Sequence, residues 1–219
     1  MDKISPVPVV STHAMVPPFA QGWVRDIRVR WALNEAGMSH EIEPFDFPTV
    51  QSEAFGARQP FHQMPCYRDG TVDMFESGAI VLHIARQSPA LLPPDPAGEA
   101  RAIAWIFAAL NSVEPLTAQL VEIDMFHKDK GWAAERRGEL VESVDKRLAH
   151  LATWLGKKDY LEGEFTAGDL LMADVLRAIA QTELLDTHAN LAAYLARCLA
   201  RPAFQQAYGD QKAMYAKAA

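Results

Sequence analysis

Four prolines fall within eight residues, at Pro89, Pro93, Pro94 and Pro96. No helix or strand interior accommodates such a run, because each proline lacks an N–H and its ring crowds the preceding turn. The segment therefore divides the chain, and its two sides read differently. Before it, strand-like and helix-like stretches alternate. "PVPVVST" reads as a strand, "WVRDIRVRWALNEAG" as a helix closed by Gly37, "SHEIEPFDF" as a strand and "SEAFGARQ" as a short helix or loop. Two strands meeting at Asp69-Gly70 follow, then a helix from Glu76. The order β-α-β-α-β-β-α predicts an α/β unit of roughly eighty residues. After the prolines everything reads as helix. The predicted boundaries are 1–88 for the α/β domain, 89–98 for the connection and 99–219 for an all-helical domain.

Periodicity refines this picture. In the first helix Val29, Ala32, Leu33 and Ala36 form one apolar stripe, and Val24, Ile27 and Trp31 form a second. A helix with two stripes is expected to be covered on two sides. Residues 97–125 carry the longest apolar run, Ala102 to Leu110, and are expected to be buried all round with a kink at Pro115. Residues 131–155 are amphipathic. Thr166 and Asp169 have capping-box spacing, with Phe165 and Leu170 placed as a staple. Two further helices are expected near 188–200 and 202–216, the second opening with Pro202 at its first position.

The formal net charge of −7, with acids and bases mixed along the chain, argues against nucleic-acid and anionic-membrane partners, which need a basic face. The apolar run is far below the roughly 18 residues of a membrane span. Two cysteines, Cys66 and Cys198, have no CxxC or Cys/His ligand spacing, so no metal site is expected and a cytoplasmic location is.

Pro65 stands inside "QMPCYRDG", which otherwise looks like a core strand. Proline gives a sheet no N–H and normally keeps to margins, so this is either a sheet edge or a place where something docks. With "FESGAIVLHIA" after it, "VRWALNEAG" before it and "FTAGDLLMADV" in the second half, the chain resembles the cytosolic glutathione transferases along almost its whole length. "AIAWIFAALNSVEP" is similar to the first helix of the second domain in bacterial members. The resemblance implies a thioredoxin-like βαβαββα domain followed by an all-helical one. It also implies glutathione as co-substrate, a small apolar electrophile as its partner, and a homodimer in which Ile80, Ile84 and the long helices meet the second subunit.

On that resemblance Pro65 matches the family's cis-proline, and Met64 offers its backbone to the cysteinyl amide of glutathione. Gln63, and His62 if it points inward, stand where the family contacts the glycyl carboxylate; both read equally as surface-loop residues. Glu76 and Ser77 hold the γ-glutamyl ammonium and carboxylate. From residue types alone, Glu76-Ser77 reads equally as a plain helix start. The second substrate is expected against Phe107, Asn111 and Glu114, with Phe126 and His127 beside them; the other reading of that face is that it turns to water as the helix leaves the core.

One segment departs from the family. The thiol is usually activated by a Tyr, Ser or Cys near the start of the first helix, but "THAMVPPFAQGWVRD" holds none. Counting back from "RVRWAL", the slot falls at Gly22, Trp23 and Val24. The indole N–H of Trp23 and the charge of Arg25 are the groups there that favour a thiolate; otherwise Trp23 is packing and Arg25 is solvated. His13 lies nearby. Cys66 reads as a small buried hydrophobe. The chain is thus expected to be a glutathione transferase or, alternatively, a glutathione-binding or interaction module with little transferase activity.

Overall fold

The computed structural model describes residues 7–180 and 182–218, which form two units that are described separately. The first comprises residues up to Leu91 together with the last helix, from Pro202 onward; the second runs from Leu92 to Arg201.

In the first unit β1 (Val9–His13) and β2 (Glu41–Phe45) pair in parallel, joined by α1 (Asp26–Glu35). β3 (Cys66–Arg68) pairs antiparallel to β1, and β4 (Asp73–Phe75) antiparallel to β3, giving the order β2-β1-β3-β4. The alternating elements predict this α/β order, and the arrangement is the thioredoxin-like one that the resemblance implies. Pro44 sits in β2 at the edge of the sheet, where a missing N–H is tolerated. The stretch "SEAFGARQ" becomes α3 (Glu53–Gly56), preceded by α2 (Phe47–Val50). Each is capped by a side chain, Asp46 accepting from the Thr49 N–H and Ser52 from the Phe55 N–H.

Residues Asp26 to Leu33 of α1 are all buried, as two apolar stripes require. β1 and α4 (Ser77–Ala85) cover part of it, and α10 (Pro202–Ala218) covers the rest. The last helix was expected in the all-helical domain. Phe204, Ala207, Gln211 and Tyr215 instead form a buried face on α10, and Phe204 packs edge-on against Trp31 at 4.8 Å. The helix start also differs: Trp23, Val24 and Arg25 lie in a turn, and α1 begins only at Asp26.

The turn between β3 and β4 is organised by Asp69. Its carboxylate accepts from the Thr71 and Val72 N–H groups at 2.9 and 3.1 Å and from His83 Nε2 at 2.7 Å. Burial acts to raise its pKa, but the hydrogen bonds from Thr71, His83 and Val72 prevail and hold it well below the usual carboxylate range. A depressed folded pKa contributes stability above the unfolded value, about 4, which is lost as pH falls through the folded one. Asp69→Ala is expected to cost about 1.5–3 kcal/mol in urea unfolding at pH 7. The gap to wild type should narrow below about pH 4; a gap independent of pH would separate the loss from the carboxylate's charge.

In the second unit α5 (Pro96–Phe107) opens with Asp95 as cap and Pro96 at the first position. A π-helical stretch, Ala108–Val113, leads into α6 (Glu114–Glu122), and a second, Ile123–His127, follows it. This region is not buried all round. Ala102, Ile106, Ala109, Val113, Thr117 and Leu120 face inward, while Phe107 is 53% exposed. Alanines supply four of the nine residues of the apolar run, and Ala104 is exposed and Ala108 half-buried at little cost. Pro115, the second residue of α6, follows directly on the π-helical stretch, inside a helical run that continues unbroken from α5.

The helix buried all round is α8 (Ala167–Arg177), flanked in sequence by α7 (Ala133–Leu155) and α9 (Ala189–Leu199). Its charged side chains Asp174 and Arg177 pair at 2.6 Å. Thr166 and Asp169 make the expected capping box, and Asp169 also accepts from the Leu161 N–H and Tyr194 hydroxyl. A Cβ at Gly168 would lie 2.5 Å from that of Trp105, so glycine permits the close approach of α8 to α5. No helix among the described residues is long and apolar enough to cross a membrane.

Candidate functional site

The features of interest in the first unit gather where β3 and α4 begin and where α1 starts. Pro65 stands just ahead of β3, outside the ladder, and the Met64–Pro65 bond is cis. Ser11, from the middle of β1, holds this segment. Its hydroxyl accepts from the Cys66 N–H at 2.6 Å and lies 3.2 Å from Met64 Sδ. The Met64 and Cys66 side chains point into one apolar cluster with Val50 and Phe55. Burial pushes the Cys66 thiol up, so it is an inert packing residue, as expected. Gln63, just before, is exposed. His62, with φ of 53°, is turned back toward the protein, where Nδ1 donates to the Val50 carbonyl at 2.7 Å.

At the start of α4 the plain-cap reading of Glu76 fails. Glu76 occupies the cap position, yet its side chain makes no capping hydrogen bond and its φ is 72°. A non-glycine residue in that region costs on the order of 1–3 kcal/mol and is characteristic of ligand sites. The strain leaves the Glu76 side chain exposed beside Ser77, which is buried. Arg28, 4% exposed, reaches across from α1 and donates from Nη1 to Ser77 Oγ at 3.4 Å. A helix N-terminus, a hydroxyl and a buried guanidinium converge here, and together they suit a carboxylate. Arg28 escaped the sequence reading. Its signal was a basic residue set among the two apolar stripes of a helix expected to be covered on both sides.

The slot before α1 is ordered but lacks a hydroxyl or thiol of its own. The hydroxyls on β1 are engaged elsewhere, Ser11 with Cys66 and Thr12 with Tyr215 at 3.1 Å. Trp23 is 43% exposed and therefore not a core side chain; Arg25 is exposed at the cap position of α1. His13, at the end of β1, is half-buried, and burial lowers its pKa and favours the neutral ring.

In the second unit Phe107 ends α5, Asn111 is exposed within the first π-helical stretch, and Glu114 is half-buried at the start of α6. Phe126 is exposed in the second π-helical stretch, and His127 packs against Trp132 with ring centroids 5.6 Å apart. π-Helical turns are rare and recur at functional sites. Among the described residues no group of three or more His, Cys, Asp or Glu side chains assembles to hold a metal.

Known proteins resemble this arrangement. A family model described as "Glutathione S-transferase, N-terminal domain" matches residues 21–86, which include the slot, the cis-proline and Glu76-Ser77. Glutathione S-transferase 1 of Zea mays is 31% identical over 193 residues, covering 82% of this chain and 88% of the relative. A solved structure of glutathione S-transferase-I with lactoylglutathione bound aligns at a TM-score of 0.77 and 26% identity, over 93% of this chain and 99% of that one. Poplar glutathione transferase F1 aligns at 0.82 over 95% and 100%; at 19% identity it speaks to the fold alone.

Proposed function

The chain belongs to the glutathione S-transferase family and is a glutathione-conjugating enzyme, and from that premise we propose which of its residues bind and activate the tripeptide. The observation that carries the assignment is the buried Arg28–Ser77 contact at the start of α4, beside the strained Glu76. Ser77, Arg28 and the free N–H groups of the first helical turn take the γ-glutamyl carboxylate. Glu76 accepts from its ammonium. The backbone of Met64, ahead of Pro65, pairs with the cysteinyl amide, and the exposed Gln63 donates to the glycyl carboxylate.

The sulfur then belongs at the turn before α1. There the indole N–H of Trp23, the charge of Arg25 and the helix N-terminus favour the thiolate. The thiol proton passes to solvent, the sulfur lone pair forms the C–S bond, and the leaving group or acceptor atom of the electrophile takes the displaced electrons. Phe107, Asn111 and Glu114 receive a small apolar electrophile, with Phe126 and His127 beside them. A cytoplasmic, reducing location fits two buried, free cysteines.

The test is the ultraviolet thiolate absorbance of bound glutathione as a function of pH. Wild type should ionise the thiol near neutrality. Trp23→Phe keeps the ring but deletes the N–H, and should raise the thiol pKa and lower kcat about ten- to a hundredfold, the worth of one hydrogen bond to a charged group. A variant with wild-type turnover and pH profile would remove Trp23 from the chemistry.

A homodimer is the further expectation of this reading. Ile80 and Ile84, expected at its interface, are completely buried inside the first unit and have no surface to offer a partner. Phe47 and Phe61, each about two-thirds exposed, are the most exposed aromatic side chains among the described residues of that unit. Light scattering should give twice the 24.3 kDa chain mass, and a monomer at micromolar concentration would refute the dimer.

A further inference from the structure

The last helix reaches the turn on which the thiol chemistry depends. Gln211, on α10, is completely buried, and its Nε2 donates both to the Val24 carbonyl at 3.0 Å and to Asp26 Oδ1 at 2.6 Å. Three residues earlier on the same helix, the Tyr208 ring lies directly against Gly22. A Cβ at Gly22, whose φ is +84°, would come within 2.5 Å of Tyr208 Cε2. One turn further along α10, the Tyr215 hydroxyl meets Thr12 of β1 at 3.1 Å. Trp23 is therefore bracketed. The residue before it rests on Tyr208, and the residue after it is held by Gln211.

We propose that Gln211 and Tyr208 are positioning residues for the thiol-binding turn Gly22–Arg25, acting on the sulfur of glutathione through the backbone they hold. The inference rests on the reading that places the sulfur at Trp23 and Arg25. The role assigned to both is indirect, and Gln211 is completely buried. Their contribution is to fix where the indole N–H and the first N–H groups of α1 point. Donors aimed at a thiolate act only when so fixed, and a misplacement of about 1 Å costs on the order of a hundredfold in rate. Such a turn, with no hydroxyl or thiol of its own, relies more heavily on the orientation of the donors it has.

Gln211→Leu preserves side-chain volume and removes both donated bonds. Its expected signature is a raised thiol pKa for bound glutathione and a kcat roughly ten- to a hundredfold lower. The dissociation constant for glutathione should move less than about threefold, because the γ-glutamyl grip at α4 is untouched. Tyr208→Leu, at a half-buried position, should shift the same two quantities in the same direction by less. It decides the matter alone if Gln211→Leu does not fold. A merely structural role would lower the melting temperature and leave the thiol pKa of bound glutathione where it is. Folded variants with wild-type thiol pKa and kcat would overturn the inference while leaving the glutathione site standing. A wild-type protein that binds glutathione without lowering its thiol pKa would overturn both this inference and the reading beneath it.

Discussion

Arg28→Met is expected to weaken glutathione binding by about 2–5 kcal/mol, roughly thirty- to a few-thousandfold, the range for truncating one partner of a buried, hydrogen-bonded charge pair. The guanidinium is 4% exposed and 3.4 Å from Ser77 Oγ, so a carboxylate docked on Ser77 meets a charge already stripped of water. Ser77→Ala removes one hydroxyl contact to a charged group, worth about 1.5–3 kcal/mol, or some ten- to a hundredfold. The two losses should add to less than their sum, because both groups serve the same ligand carboxylate. Calorimetric titration with glutathione measures each, and circular dichroism checks that α1 and α4 persist. If both variants bind as wild type does, the γ-glutamyl end is held elsewhere.

How much of this site was legible beforehand follows from where its signals are written. Pro65 and the Glu76-Ser77 pair are local signals, a proline where a strand should run and a helix start after a tight turn, and sequence reasoning found them. The φ of 72° at Glu76 leaves no such trace, since any residue type hides its backbone angle. Arg28 was missed because nothing local says that α4 will lie across α1. The packing of the last helix was hidden for a related reason. α10 follows a run of helices and looks like one more of them, but its Phe204–Gln211–Tyr215 face is complementary to α1 and β1, which lie far away in sequence. Periodicity did anticipate that α1 has a second covering. It did not name the helix that supplies it. The expected burial of residues 97–125 failed on composition, because alanine counts as apolar yet is indifferent to exposure, leaving Phe107 outside.

The same packing places a charge pair in the core, and breaking it should give the largest loss of stability. Asp26 and Arg30 are buried, with Arg30 Nε donating to Asp26 Oδ2 at 2.6 Å across one turn of α1. Asp26→Leu leaves the guanidinium in the interior, where the Met214 Sδ at 3.6 Å is a poor substitute for a carboxylate. The expected cost is about 3–5 kcal/mol in urea unfolding. The pair itself is another matter. Burial pushes the Asp26 carboxyl up despite the opposing pull of Arg30, Thr12 and Gln211, so its attraction to Arg30 does not fully offset the dehydration of the charge. Removing both charges, as Asp26→Leu with Arg30→Met, should therefore recover most of the lost stability. A double variant as unstable as the single one would transfer the credit to the hydrogen bonds that Asp26 makes to Gln211 and Thr12, and so to the docking of α10 rather than to the ion pair.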